Sequence, residues 1–258
     1  MSEVSEVSEV SEVSEVSVDV TDRTVVAKRI VLGTAPSDLS GWARLASKAM
    51  VEHLSLTTSD GERLKAEYSS ADEAKAVAIL GHPHPQHGGT MYSGVIEELF
   101  QALPTRSIST LRFNFRGVDG STGSFGGGIA ERLDMIAAID TAADRKPESA
   151  TVFTAAWSFG ADVSLAVLDE RLAGWFLIAP PLGVVKDAEL AAGADPRPKQ
   201  LAVPEHDQFR PPASARERTA DWLSTEIDVM PGADHFLAGS GGRVIDLATS
   251  FADLISAT

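Results

Sequence analysis

From Val51 onward, short apolar runs alternate with helix-like patterns, and that alternation restricts the architecture more than any other feature of the 258 residues. Residues 52–57 and 62–68 read as a hairpin closed over Ser59-Asp60-Gly61. Residues 76–80, 109–115, 151–157, 174–179, 200–203 and 226–230 read as further strands, several of them continuously apolar. Between them, 93–103, 129–143, 159–168, 213–223 and 243–256 carry helical spacing. Strands alternating with helices imply a mainly parallel twisted sheet with helices on both faces. Parallel strands are buried on both sides, which is why their sequences lack an outward polar stripe. In sheets of this kind chemistry gathers at the carboxyl ends of the strands.

The residues at those ends are chemically capable. After 151–157 comes Ser158, then Gly160, then the helical run. Strand, serine, glycine and helix together form a tight turn that thrusts the hydroxyl outward, with the helix-opening N–H groups facing whatever it attacks. The usual pattern carries a glycine two residues before the serine; here Ala156 stands there. The plain alternative is a serine N-cap. After 76–80 comes Gly81-His82-Pro83-His84-Pro85-Gln86-His87-Gly88-Gly89. After 109–115 comes Arg116-Gly117. After 200–203 comes Pro204-Glu205-His206-Asp207, and after 226–230 comes Pro231-Gly232-Ala233-Asp234-His235.

The His82-Pro83-His84-Pro85 run and Leu111-Arg112-Phe113-Asn114-Phe115-Arg116-Gly117, in this order and each at a strand end, resemble the α/β-hydrolase superfamily. The likeness is to its small serine hydrolases without a lid, and it covers about Val51 to the C-terminus. It implies the α/β-hydrolase fold with no large lid domain. It also implies a catalytic triad in the order serine, acid, histidine, which maps onto Ser158, Asp207 and His235. Asp207 departs from the family pattern in having Pro204 where a glycine stands, and Glu205 competes with it as the acid. The oxyanion hole implied by the resemblance uses the backbone N–H of Phe159 and that of His84, since Pro83 and Pro85 have none to give. Trp157 and Met91 are candidates for an acyl pocket or for plain core. Arg116 is a candidate contact for an anionic substrate group or a brace within an ion pair. His82, His84 and His87 could hold a metal, but no carboxylate or cysteine accompanies them, and no metal or organic cofactor is expected.

Composition bounds the rest. The formal net charge of −15 argues against nucleic acid and anionic membranes as partners. There are no cysteines, so disulfides and thiolate chemistry are excluded. No apolar run approaches the roughly 20 residues that span a bilayer. An acidic N-terminus without a signal-like apolar region points to the cytosol. Residues 2–16 are five copies of Ser-Glu-Val, whose three-residue period fits neither helix nor strand, and residues 1–20 are expected to be a disordered tail. Residues 21–50 form an extension without a functional reading, leaving 51–258 as the hydrolase domain.

These observations lead to an expected serine esterase or thioesterase acting on a small-molecule acyl substrate of small to medium size. Only 18 residues separate Pro181 from Gln200, too few for a lid, so an open and shallow site is expected. A peptidase, lactonase or acyltransferase on the same triad, or an inactive ligand-binding member of the fold, are the alternatives. Homo-oligomerisation is left open.

Overall fold

The computed structural model describes residues 51–185 and 190–257. The Ser-Glu-Val repeats, the 21–50 extension and residues 186–189 lie outside the described residues, and so do the domain boundaries expected there. Eight strands form one sheet: β1 (Val51–Thr57), β2 (Arg63–Ser69), β3 (Ala76–Gly81), β4 (Ile108–Phe113), β5 (Thr151–Trp157), β6 (Leu172–Ile178), β7 (Lys199–Pro204) and β8 (Thr225–Met230). Their spatial order is β1-β2-β4-β3-β5-β6-β7-β8. The β1–β2 and β2–β4 pairs are antiparallel, and every pair from β4 through β8 is parallel. The mainly parallel sheet expected from the sequence is therefore present.

The described residues hold five α-helices, four between strands and one after the last: α1 (Gly94–Ala102), α2 (Glu131–Arg145), α3 (Phe159–Leu165), α4 (Pro212–Arg218) and α5 (Gly241–Ser256). Two apolar layers follow from the period of two along a strand. On β3, Val77 and Ile79 face one layer, while Ala76, Ala78 and Leu80 face the other. The first layer takes Met135, Ala138, Ile139 and Ala142 of α2 and Phe159, Ala161, Val163 and Leu165 of α3. The second takes Val95, Ile96, Leu99 and Phe100 of α1 and Val244, Leu247, Ala248 and Phe251 of α5. Both faces of the central strands are thus dry, and strand ends are where polar groups reach solvent.

One close approach fixes how the layers meet. Gly160, in the first turn of α3, sits against the end of β3. A Cβ there would lie 2.7 Å from the carbonyl carbon and oxygen of Gly81 and 2.8 Å from His82 O. Helix and strand therefore touch backbone to backbone, which only glycine permits.

Two helices differ from expectation. The helix expected over 213–223 ends at Arg218. Its continuation is pulled away: the amide of Leu223 donates to Gly193 O at 2.9 Å, and the Trp222 indole lies so close to Gly193 that a Cβ there would be 2.6 Å from the ring. The helix expected over 159–168 ends at Leu165, where the Trp175 indole N–H takes the carbonyl of Ser164 at 3.1 Å. Between β6 and β7 the described residues include a short 3-10 turn, Ala191–Ala194. No helix of the described residues is long and apolar enough to cross a membrane.

Candidate active site

Ser158 occupies the N-cap of α3, yet its side chain makes no capping bond. Its backbone is in the left-handed region, with φ 55° and ψ −117°, a conformation unfavourable for a residue with a Cβ. The Ser158 N–H is held by Ile178 O on β6 at 2.9 Å. With the backbone so constrained, Oγ points away from α3 and meets His235 Nε2 at 2.9 Å. On the other side of the ring, His235 Nδ1 meets Asp207 Oδ2 at 2.8 Å. A carboxylate can only accept, so Nδ1 carries the proton and Nε2 accepts from the serine hydroxyl. All three side chains are nearly buried. Asp207 is itself oriented by the amides of Phe209 and Arg210, which donate to Oδ1 at 2.8 and 2.9 Å. The His235 carbonyl accepts the Trp157 indole N–H at 3.2 Å.

Of the two candidate acids, Asp207 is the one bonded to His235. Glu205 turns the other way and accepts the Gly232 amide at 2.7 Å, closing the turn before His235.

The loop after β3 is fixed from several directions. His82 is wholly buried; its Nε2 accepts the Phe115 amide at 3.0 Å, and its Nδ1 donates to Pro83 O at 2.6 Å. Burial pushes its pKa down to about 4, so the ring is neutral and both nitrogens are in use. The Gly160 amide donates to His82 O at 3.2 Å, tying this loop to the start of α3. His84 accepts the Gln86 amide on Nδ1 at 3.2 Å, and its carbonyl accepts the amides of His87 and Gly89 at 3.0 Å each. Among the described residues, the N–H groups of His84 and Phe159 donate to no other group. Amides without an internal acceptor are groups that can receive a negative oxygen. The His84 ring stacks on His87 at 4.4 Å, and burial, then His87, lowers its pKa. No group of three or more His, Cys, Asp or Glu positioned to hold a metal occurs among the described residues.

The remaining candidates fall on the structural side. Arg116 is buried and paired with two carboxylates. Its Nε and Nη2 donate to Asp134 Oδ1 at 2.9 and 2.7 Å and its Nη1 to Asp60 Oδ2 at 2.8 Å, with the residue 5% exposed. The pair holds the Asp60 carboxyl down at about 2. Burial leaves no free guanidinium edge for an anion, so the bracing alternative describes it. Met91 is fully buried and presents no surface to the site; its amide donates to Asn114 Oδ1 at 2.8 Å. Trp157 packs in the second apolar layer, and its indole N–H meets the His235 carbonyl.

Sequence reasoning missed two buried acids and two exposed aromatics. Asp162 accepts the amides of Leu182, Gly183 and Val184 at 2.8–2.9 Å, fastening the loop after β6 to α3. Burial pushes its carboxyl up while the three amides pull it back. Glu131 accepts the amides of Gly126 and Gly128 at 2.6 and 2.8 Å. In both cases the signal was an acid on the buried stripe of a helix. Phe209 lies 4.5 Å from the His235 ring and Phe236 5.9 Å from it.

No model of a known protein family matches the chain. The uncharacterized protein RP471 of Rickettsia prowazekii is 26% identical over 184 residues, which are 67% of this chain and 77% of that protein. The structure is similar to an α/β serine hydrolase homologue from Coxiella burnetii, with a TM-score of 0.70, 28% identity, and 78% of this chain and 96% of that one covered. It is also similar to XC6422 from Xanthomonas campestris, an α/β serine hydrolase without a lid, with a TM-score of 0.67, 26% identity, and coverage of 78% and 93%. The Pyrococcus furiosus esterase Pf2001 shares the fold at 16% identity and a TM-score of 0.67, over 88% of this chain and 98% of that one. The chain has the α/β-hydrolase fold, with no large lid domain among the described residues, and the likenesses to the Coxiella and Xanthomonas proteins support a hydrolase.

Proposed function

We propose that this chain is a serine hydrolase that cleaves small to medium carboxylic esters or thioesters through an acyl-enzyme on Ser158. The observation that carries this reading is the continuous relay Ser158 Oγ–His235 Nε2–Asp207, with links of 2.9 and 2.8 Å. A serine hydroxyl is a weak nucleophile at neutral pH and needs a base in bonding range. His235 takes its proton as Oγ adds to the substrate carbonyl carbon. The oxygen of the tetrahedral intermediate becomes negative and is received by the N–H groups of Phe159 and His84. Asp207 keeps the imidazole in the useful tautomer and stabilises it once charged. The C–O or C–S bond then breaks, and His235 returns the proton to the leaving oxygen or sulfur. In the second half, water gives its proton to His235 and adds to the acyl carbon, and Ser158 leaves with that proton restored. No step calls on a metal or organic cofactor.

The test is labelling by a fluorophosphonate probe together with a p-nitrophenyl acetate burst. The expected outcome is a burst and a Ser158 adduct, both lost in Ser158→Ala. Asp207→Asn should lower kcat by about 10⁴, the order found when a triad carboxylate is neutralised. Glu205→Gln should leave kcat within about two-fold, a surface change of that size being energetically small. A wild-type protein that neither labels nor turns over short-chain esters would overturn the proposal in favour of an inactive, ligand-binding relative.

A further inference from the structure

Among the exposed large apolar residues, two phenylalanines lie beside the imidazole. Phe209 is 58% exposed and Phe236 is 62% exposed. Scattered exposed apolar side chains are ordinary. These two are not scattered: Phe209 lies tilted against the His235 ring at 4.5 Å, and Phe236 meets it edge-on at 5.9 Å. Their backbones are also fixed. The Phe209 amide donates to Asp207 Oδ1 at 2.8 Å and the Phe236 amide to Asp234 Oδ1 at 3.0 Å.

We infer that Phe209 and Phe236 seat the leaving group, and that the substrates are esters whose alcohol or phenol part is uncharged and apolar, aromatic above all. The inference rests on the serine-hydrolase reading and deepens it. When the ester C–O bond breaks, the leaving oxygen receives its proton from His235 Nε2, so that oxygen must come within hydrogen-bonding range of the ring. Whatever it carries then emerges beside the imidazole, where the two phenyl rings are. An aromatic substituent gains offset or edge contacts there, and a methyl group is too small to reach both rings. The neighbouring cation is partly engaged. Arg210, next to Phe209, donates through Nε to Pro181 O and through Nη1 to Ser214 Oγ, both at 2.9 Å, and through Nη2 to Leu182 O at 3.4 Å, so each of its nitrogens already has a protein partner.

The experiment compares kcat/KM for phenyl acetate and methyl acetate in the wild type, Phe209→Ala, Phe236→Ala and the double variant. Differences in leaving-group reactivity cancel in each variant-to-wild-type ratio. Each single variant should lose about five-fold more on the phenyl ester than on the methyl ester, and the double variant about thirty-fold more, the order that aromatic contacts supply. Both side chains are exposed, so thermal midpoints should stay near wild type and confirm folding. Equal losses on the two esters would mean that the rings only hold His235 in place, and would overturn the inference. So would no loss on either ester. Fluorophosphonate labelling of wild-type Ser158 separates the two levels: labelled protein without ester discrimination sinks the leaving-group seat alone, and unlabelled protein sinks the hydrolase reading with it.

Discussion

His82 is a single side chain joining two strands: one ring nitrogen takes an amide from the segment after β4, and the other holds the chain just after β3. That arrangement works only while the ring is neutral. In the folded protein its pKa is lowered to about 4 from an ordinary 6.5, chiefly by burial. Between those two values the unfolded chain binds a proton at this residue and the folded one does not, so folding stability rises with pH across the window. The contribution is complete above about pH 6.5 and drains away as pH falls toward 4, roughly 3 kcal/mol in all at ~1.4 kcal/mol per pKa unit. His82→Gln, which retains hydrogen-bonding groups but does not titrate, should therefore flatten the pH dependence of the urea midpoint between pH 4 and 6.5; a slope identical to wild type would contradict the assignment. At this scale the sequence was uneven as a guide. Ser158 could be singled out because it sits directly after a strand, and His235 because it lies in the short loop between the last strand and the last helix, where only a few residues compete. Asp207 was preferred as the acid by resemblance, but Glu205 stayed a competitor, since two residues of spacing place both in one loop and only the folded turn sends Glu205 to Gly232. For Arg116 the bracing ion pair was preferred to a substrate contact, but its partners could not be named, because Asp60 and Asp134 lie 56 and 18 residues away.

The contact between α3 and β3 is where element geometry controls the site. Gly160→Ala would drive a Cβ to 2.7 Å from Gly81 and 2.8 Å from His82 O. Backbone cannot be displaced as a flexible side chain can, so the helix start must retreat from the loop. The expected outcome is a loss of about 1–3 kcal/mol in stability, with kcat/KM down by more than ten-fold because the Phe159 and His84 amides separate. Urea unfolding and ester turnover measure the two effects, and wild-type values in both would rule out this account. Strands were legible in the sequence to within about a residue or two, since continuous apolar runs have few other uses in a chain of this pattern. Helix ends were not. The run 213–223 keeps helical spacing past Arg218, and it is the tertiary pull of Gly193 on Trp222 and Leu223 that stops it. Asp162 and Glu131 escaped notice for a related reason: an acid in a helix reads as a solvent-facing residue until the loop that it fastens is known.

For the whole molecule, the formal charge of −15 is the property that acts at a distance. It opposes the approach of anionic substrates, and salt screens that opposition over about 10 Å at 0.1 M. Accordingly, kcat/KM for 3-carboxyphenyl acetate should rise as sodium chloride goes from about 10 to 150 mM, the range over which the screening length contracts, while that for phenyl acetate stays flat. Parallel salt profiles for the two esters would show that the field does not reach the site. The sheet itself brings together groups that the sequence keeps far apart: Ser158 follows β5, Asp207 follows β7 and His235 follows β8. A further consequence comes from the bond between the Gly160 amide and His82 O. It joins the peptide segment bearing the Ser158 hydroxyl to the one bearing the His84 amide by a route only a few atoms long. When thermal motion carries one segment, the other is dragged in step, so their separation is steadier than the position of either in space.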